Sequence, residues 1–254
     1  MELFDTHAHL DFKDYDDLPE VLEASSENNV SQILNVGIDI DSSRASLQLA
    51  RDYEEIYAAA GIHPNNGDRL DDQGIEVLRM LAADKKLVAI GEIGLDYYRD
   101  RVSKRIQQEA FCKQIALAKE LGLPMVIHDR EAHRDIVNIL RKEQAYDVGG
   151  VFHCFSGDWN MAKWGLDNNF LIAIGGVVTF KNAHDLRDVA SRLPRDGMLL
   201  ETDCPFLAPE PKRGKRNEPA YLRYTAGYIS ALRKTSLEEI AYFTTLNGRK
   251  LFSI

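Results

Sequence analysis

The chain has 254 residues, of which 44% are hydrophobic and 28% are charged, and its formal net charge is −9. This length fits one large domain or two small ones, and it is enough to bury a substantial core. The negative charge argues against a protein that coats nucleic acid non-specifically. It leaves room for an enzyme that binds a phosphodiester through metals and a local basic patch.

The sequence contains no signal for export or for membrane insertion. It has no run of 18 apolar residues, so we expect no membrane span. The first 19 residues are acidic and lack the basic and apolar regions of a signal peptide. Three cysteines are an odd number for a disulfide framework and suit a reducing compartment. We therefore expect a cytoplasmic protein, and no feature indicates an obligate protein partner.

Short apolar runs alternate with helical patterns along the whole chain. The runs are continuous, which is typical of strands buried on both faces of a parallel sheet. The predicted strands are Leu3–Asp5, Gln32–Val36, Ile56–Ala60, Val88–Gly91, Met125–Ile127, Gly150–Phe152, Leu171–Ile174 and Met198–Glu201. Apolar residues at helical spacing separate them, and Gly122 with Pro124 predicts a helix end before the fifth strand.

The number and spacing of these elements predict the fold class. Eight strands in 254 residues give roughly 32 residues per unit, the usual size of a βαβ repeat. We therefore predict an α/β protein in which residues 1–254 form a single (β/α)₈ barrel of the TIM type. The stretch Pro205–Pro219 follows the last strand and is predicted to be an active-site loop. The alternative, an open doubly wound sheet, lacks a G-x-G-x-x-G motif after the first strand.

Side chains that can bind metal recur just past the predicted carboxyl ends of the strands. They are His7, His9, His63, Glu92, His128, His153 and Asp203. In a barrel these ends meet at the face that carries the active site. Because side chains alternate along a strand, His7 and His9 can both point into the barrel at one ion. The sequence therefore predicts a metal site at this face.

The number of these ligands exceeds what one catalytic metal with an open position requires. We therefore expect two divalent metal ions per chain, drawn from Zn, Mn, Mg, Ni, Co or Fe. Imidazole ligands favour the softer ions of this group over Mg. Glu92 is the best candidate for a carboxylate that bridges the two ions. Asp203 is expected to bind one ion and to lie near the attacking nucleophile.

These motifs resemble the TatD family of metal-dependent deoxyribonucleases, within the wider metal-dependent hydrolase superfamily. The resemblance covers essentially the whole chain. It rests on Phe4–Leu10, Gly61–Pro64, Ile90–Tyr97, Ile127–Arg130, His153–Gly157, Glu201–Pro205, Arg216–Pro219 and Asn247–Arg249. It implies a TIM barrel and hydrolysis of ester bonds, typically in DNA and in some members as a 3′–5′ exonuclease.

The resemblance also implies roles for individual residues. The implied metal ligands are His7, His9, Glu92, His128, His153 and Asp203. By the family pattern, His63 lies beside the substrate phosphate, although its position also suits a metal ligand or a structural cap on the Pro64 turn.

Other polar residues have a functional and a structural interpretation. Glu201 lies two residues before Asp203, so it can orient a ligand imidazole or make a buried structural hydrogen bond. Arg130 and a basic cluster after Asp203 are predicted to contact phosphates. The cluster consists of Lys212, Arg213, Lys215 and Arg216. A charge run is more usually a solvated surface, and Arg216 can instead pair with Glu218.

Cysteines and the two remaining histidines are interpreted as structural. Cys154 and Cys204 each follow a proposed ligand, so strand alternation predicts that they turn away from the metals into buried packing. His133 has the wrong offset from His128 to share its face and is expected to be solvated. His184 is expected at the start of a helix.

The predicted function is that of a metal-dependent hydrolase acting on ester bonds, most simply a TatD-type DNase. Water activated by two metals would attack phosphorus, with Asp203, Glu92 and His63 in catalytic roles and Asp203 accepting a proton. The alternative is an amidohydrolase or lactonase acting on a small molecule. A neutral substrate would not require the cationic loop, which favours DNA as the partner of this site.

Overall fold

The structure, a computed structural model, describes residues 1–99 and 101–254. Strands and helices alternate along the chain, and an additional helix follows at the end. The strands are β1 (Leu3–Ala8), β2 (Val30–Val36), β3 (Ile56–Ala60), β4 (Leu87–Asp96), β5 (Met125–Arg130), β6 (Gly150–Phe152), β7 (Phe170–Ile174) and β8 (Met198–Leu200). The α-helices are α1 (Leu18–Glu27), α2 (Ile40–Asp52), α3 (Asp72–Leu81), α4 (Lys104–Leu121), α5 (His133–Lys142), α6 (Trp159–Asp167), α7 (His184–Arg192), α8 (Leu222–Arg233) and α9 (Leu237–Phe252).

The strands form one parallel sheet in the order β1 to β8, which confirms the predicted barrel. The sheet closes where β8 returns to β1. There Ala8 pairs with Cys204 in a parallel bridge, and the Asp203 amide donates to the His7 carbonyl at 2.9 Å. The buried Asp5 carboxylate strengthens this seam, because it accepts from the Thr202 hydroxyl at 2.6 Å. Closure thus brings two predicted ligands, His7 and Asp203, together.

Two apolar cores explain why the strands are hydrophobic on both faces. The larger core lies between the strands and the surrounding helices. The smaller fills the barrel interior and is closed at one end by Phe252 of α9, whose ring centroid lies 5.9 Å from that of Phe4. Interior positions of the later strands include Val126, Val151 and Leu199. Because side chains alternate along a strand, the residue two positions after Val126 or Val151 also points into the barrel. In both strands that residue is a predicted ligand.

Three predicted ligands lie inside strands and not past them, which corrects the sequence-based placement. β4 and β5 stay paired from Ile93 opposite Ile127 to Asp96 opposite Arg130, so Glu92 and His128 fall within the ladder. His7 likewise lies within β1. Pairing between two parallel strands continues as long as both backbones remain extended. A short apolar run in the sequence does not show how long this paired segment is.

Local signals fix several helix ends. α4 ends at Gly122, which has a left-handed φ of 67°, as the Gly–Pro pattern predicts. α2 begins with a capping box between Asp39 and Ser42. α7 begins at His184, as expected. None of the described helices combines the length and the apolar character that a membrane crossing requires.

Candidate metal centre and active site

A first group of ligand atoms lies where β1, β4 and the end of β8 meet. His7 Nε2 and His9 Nε2 are 3.2 Å apart. Glu92 Oε2 lies 3.6 Å from the His7 nitrogen and 3.8 Å from the His9 nitrogen. Asp203 Oδ1 lies 3.8 Å from His7 Nε2 and 3.6 Å from His9 Nε2. Two imidazole nitrogens and two carboxylate oxygens therefore surround one small volume.

A second group surrounds the other oxygen of the same glutamate. Glu92 Oε1 lies 2.6 Å from His128 Nδ1 and 3.1 Å from His153 Nε2. Glu92 thus presents one oxygen to the His7–His9 pair and the other to the His128–His153 pair. A carboxylate so placed can bridge two cations, as the sequence argument proposed for it.

The hydrogen bonding of His9 fits a metal ligand. Its Nδ1 lies 2.8 Å from the Val36 carbonyl oxygen, which can only accept. Nδ1 therefore carries a proton, and Nε2, which faces the first group, is the nitrogen that would bind a metal there. A ring nitrogen held by a backbone carbonyl is the usual support of a metal-bound imidazole.

The two carboxylates of the centre also fit a cation. Within residues 1–99 and 101–254, their ion-pair partners are all histidines, with no lysine or arginine among them. Burial raises the pKa of Glu92, but the surrounding imidazoles of His153, His63 and His128 outweigh burial and hold the pKa well below its usual range. The pKa of Asp203 is likewise lowered, because the hydrogen bond from His9 and the neighbouring imidazoles outweigh burial. Buried, ionised carboxylates among imidazoles form a donor set that suits a divalent metal.

His63 combines a structural and a site position. Its Nδ1 accepts a hydrogen bond from the Asn65 amide at 3.1 Å, which caps the turn that begins at Pro64. The neutral ring therefore carries its proton on Nε2, which lies 3.6 Å from Glu92 Oε1. Burial and the charge of His128 lower the pKa of His63 to about 3, so the ring stays neutral. Nε2–H is thus a donor that faces the centre, which suits an anionic oxygen better than a metal.

Two further carboxylates lie against the ligand imidazoles. Glu201 Oε1 accepts from the Cys154 amide at 2.5 Å and lies 3.4 Å from His153 Nδ1. The contacts of Glu201 therefore fit both roles considered for it, a buried structural hydrogen bond and the orientation of a ligand imidazole. No role was predicted for Asp96. Its Oδ2 lies 3.4 Å from His128 Nε2. Its position four residues after Glu92 on one strand was the signal that could have revealed it.

Two clefts open from the ligand cluster to the surface. The first has a volume of about 550 Å³ and the second about 420 Å³. His128, Arg130, His153, Asp203 and Leu207 line both clefts. Arg130 ends β5 and lies with its guanidinium carbon 4.0 Å from the Tyr98 ring centroid. The arginine predicted from its spacing to His128 therefore stands at the junction of the clefts.

The predicted basic cluster is directed elsewhere. Arg216 forms ion pairs with Asp17 at 2.6 Å and with Glu218 at 3.1 Å, so the pairing with Glu218 considered above is present. Arg213 lies over the Phe180 ring, at 4.1 Å from its centroid. None of Lys212, Arg213, Lys215 and Arg216 is among the described residues that line either cleft. Their contact with phosphate stays a prediction.

Arginines from a different loop line the first cleft. Arg99 and Arg101 follow β4, and Asn65 and Asn66 lie on the same cleft after β3. The sequence pattern did not indicate these residues, because the two arginines do not form a run of charges. The available signal was a pair of arginines three and five residues after Asp96.

The two cysteines that follow proposed ligands differ in their exposure to solvent. Cys204 is buried, as predicted. The prediction for Cys154 is wrong, since its side chain is partly exposed and lines the second cleft. Its left-handed φ of 43°, beyond the end of β6, breaks the strand alternation on which the prediction depended. His133 is half-exposed and bonds to Asp129 at 2.8 Å.

A parallel eight-stranded barrel with clustered imidazoles and carboxylates at its carboxyl end defines a metal-dependent hydrolase. The comparison with family models narrows this class. The model described as TatD related DNase matches residues 4–253, and the chain belongs to this family. The resemblance inferred from the motifs is thereby confirmed.

Individual relatives agree over nearly the whole length. The chain is 47% identical to the uncharacterized metal-dependent hydrolase YabD of Bacillus subtilis, covering 99% of both sequences. It is 34% identical to a protein of Erwinia tasmaniensis named 3′–5′ ssDNA/RNA exonuclease TatD, covering 94% of each. The crystal structure of YJJV, a TatD homologue from Escherichia coli, superposes with a TM-score of 0.93 at 31% identity, covering 99% of this chain and 98% of that one.

Proposed function

We propose that the protein cleaves phosphodiester bonds of DNA. The observation that carries this proposal is the placement of two donors, Arg130 and His63 Nε2–H, beside the cluster of metal-type ligands. A phosphodiester is anionic at its reacting centre and needs such donors, whereas a neutral amide or lactone does not. The exonuclease activity for which the Erwinia tasmaniensis relative is named supports the same substrate class.

The ligand geometry supports two cation positions. His7, His9, Glu92 and Asp203 would hold one ion. Glu92, His128 and His153 would hold the other. When bound, such ions supply Lewis acidity that neutralises phosphate charge and favours ionisation of water near neutral pH. The proposed cofactor is therefore two divalent ions, as expected from the number of ligands.

Asp203 is proposed to accept the proton of the attacking water. Its side chain is 14% exposed and lines both clefts, so water and substrate can reach it. Its pKa is held below the usual range, chiefly through the hydrogen bond from His9 acting against burial, so the carboxylate is ionised. An ionised carboxylate at the mouth of the site satisfies the geometric requirement of a general base.

His63 and Arg130 are proposed to bind the phosphate on either side of this water. His63 donates through Nε2, because its Nδ1 is occupied by the Asn65 amide. Arg130 can offer a guanidinium fork to phosphate oxygens. Glu201 would orient His153 from behind, since it lies at ion-pair distance from the ring.

A small neutral substrate remains the second candidate because of the second cleft. Its wall includes the apolar side chains of Phe155, Val177 and Leu186. Such a lining suits a small organic ligand. A hydantoin or lactone could bind there with its carbonyl toward the ligand cluster.

A substrate panel tests the proposal against this candidate. Metal-loaded protein is incubated with end-labelled single- and double-stranded oligonucleotides, a chromogenic phosphodiester, a lactone and a cyclic amide. We expect cleavage of the oligonucleotides and of the chromogenic diester, and abolition of both by a strong chelator. Turnover of the lactone or amide without phosphodiester cleavage would overturn the proposal.

A further inference from the structure

Two aromatic side chains, the exposed Phe206 and the half-buried Phe12, border the first cleft. Phe206 is 51% exposed and lies three residues after Asp203. Its ring centroid is 6.0 Å from that of Phe12 and 6.4 Å from that of His9. Phe12 in turn stacks on His9, with centroids 4.9 Å apart and planes 15° from parallel. The two phenylalanines thus form a continuous aromatic edge from a proposed metal ligand to the solvent.

This arrangement differs from an isolated exposed apolar side chain. Single surface phenylalanines are common and require no explanation. Here two rings share one lip of a cleft that contains His63, Glu92 and Asp203. An apolar surface beside polar reacting groups is placed to contact an apolar part of the substrate.

The other lip of the cleft is cationic. Arg99 and Arg101 follow β4, on the side of the barrel opposite the ends of β1 and β8 that carry the phenylalanines. The Arg99 amide donates to the buried Asp96 carboxylate at 2.9 Å, which fixes the start of this segment. Neither arginine forms an ion pair with another residue that the structure describes.

We propose that the Phe206–Phe12 edge and the Arg99–Arg101 pair are the parts of this cleft that recognise an unpaired nucleic-acid strand. One base stacks on the Phe206–Phe12 edge, and the phosphates beyond the scissile bond contact Arg99 and Arg101. This inference rests on the proposed function and adds to it the residues that recognise the strand. An aromatic edge needs an exposed base face, which a single strand offers and a duplex covers with its neighbouring pairs.

The stacking contact is tested first with Phe206→Ala. Its matched control is Tyr242→Ala on α9, which removes another exposed aromatic ring away from the cleft. Loss of one stacked base should weaken binding of a non-hydrolysable single-stranded oligonucleotide by about 5- to 100-fold. Phe206→Trp should retain most of the affinity. The chromogenic phosphodiester, which has no flanking nucleotide, should be turned over within about twofold of wild type.

A spectroscopic readout locates the stacked base. Oligonucleotides carry 2-aminopurine at successive positions, because the fluorescence of this base is quenched when it stacks. One position should be quenched on binding to wild-type protein and stay bright on binding to Phe206→Ala. An abasic residue at that position should weaken wild-type binding and leave the Phe206→Ala affinity nearly unchanged. Additive losses at every position would overturn the stacking contact.

The phosphate contacts are tested with Arg99→Gln combined with Arg101→Gln. The control removes the same charge from the opposite face of the barrel, through Arg51→Gln and Arg192→Gln in the last turns of α2 and α7. Two lost phosphate contacts should flatten the slope of log affinity against log salt by up to about 1.4 for single strands. A slope equal to that of the control variant would overturn the proposed contacts of Arg99 and Arg101 with phosphates.

The outcomes separate this inference from the function on which it rests. If wild-type protein fails to cleave any oligonucleotide, the proposed function fails. If it cleaves single strands but both variant sets behave like their controls, the cleft assignment alone fails. Equal losses on the oligonucleotide and the chromogenic diester would indicate damage at His9 and would also overturn the assignment.

Discussion

The ligand cluster and the basic loop after Asp203 were predicted from the same sequence, yet they differ in the structure. The ligand side chains converge around Glu92. Lys212, Arg213 and Arg216 of the loop instead contact their own chain, with Arg216 paired to Asp17, Arg213 over Phe180 and Lys212 over Tyr221. Meanwhile Arg99 and Arg101, which received no role, line the cleft. Sequence position indicated the arrangement of the ligand cluster, whereas it did not indicate the contacts that the basic loop makes.

The difference has a physical cause. On a strand the backbone fixes the direction of each side chain, so a residue two positions beyond an interior one also points inward. A long cationic side chain on a loop carries several rotatable bonds and takes whichever carboxylate or ring lies within reach. Position near an active site therefore does not by itself place such a charge in the site.

The largest expected effect comes from the ligand cluster, at Asp203. Asp203→Asn should lower kcat at least about 100-fold, the scale of a positioned acid–base group, because an amide cannot accept the proton. Circular dichroism should show an intact fold. Turnover of the chromogenic diester is the measurement.

Asp185→Asn is the matched control, since Asp185 is exposed and lines the second cleft without belonging to a ligand group. Its turnover should stay close to wild type. Near-wild-type turnover of Asp203→Asn with normal metal content would remove Asp203 from the chemistry.

A second large effect is expected in metal content. Glu92→Gln should reduce the occupancy of both cation positions, because Glu92 presents one oxygen to each histidine pair. Elemental analysis of the purified variant measures this directly. Glu201→Gln, which alters a neighbour of His153 and not a proposed ligand, should lose less metal. Two ions per chain in Glu92→Gln would show that the bridge is assigned to the wrong residue.

The fold was predictable because its signals are local and repeated. Apolar runs such as Ile56–Ala60 and Gly150–Phe152 coincide with strands, and Gly122 marks a helix end where only a left-handed residue fits. The ligand positions followed from strand alternation. The site position of Asp96 and the exposure of Cys154 were not predicted. They depend on how far two strands stay paired and on how a loop turns. Those features arise from contacts between distant segments, which a linear pattern does not record.

A smaller effect is expected from the basic loop, and it tests the comparison directly. Replacing Lys212, Arg213 and Lys215 with glutamine should change the salt slope of oligonucleotide binding less than the Arg99–Arg101 replacement does. The reason is that Lys212 and Arg213 lie over the rings of Tyr221 and Phe180 and not along either cleft. Binding titrations at several salt concentrations measure both slopes. A larger change from the loop would restore it as the main phosphate contact and reverse the comparison.

The smallest expected effect is at Arg216, whose guanidinium joins the loop to the start of α1. Arg216→Gln should lower Tm by about 1–3 °C at neutral pH, because exposed ion pairs contribute little even when bidentate. Oligonucleotide affinity should not change.

The stability difference should also depend on pH in a defined direction. The hydrogen bond from Arg216 holds the pKa of Asp17 below its usual value. A carboxyl group whose folded-state pKa is depressed contributes stability above its unfolded pKa and loses that contribution as pH falls through the folded one. The Tm difference between wild type and Arg216→Gln should therefore narrow at a pH below the unfolded carboxyl pKa of about 3.9. Calorimetry at pH 7 and at this lower pH gives the comparison, with Arg44→Gln as the control. A loss of oligonucleotide binding in Arg216→Gln without a change in Tm would instead assign this arginine to the substrate. The loop would then share the function here proposed for the Arg99–Arg101 segment.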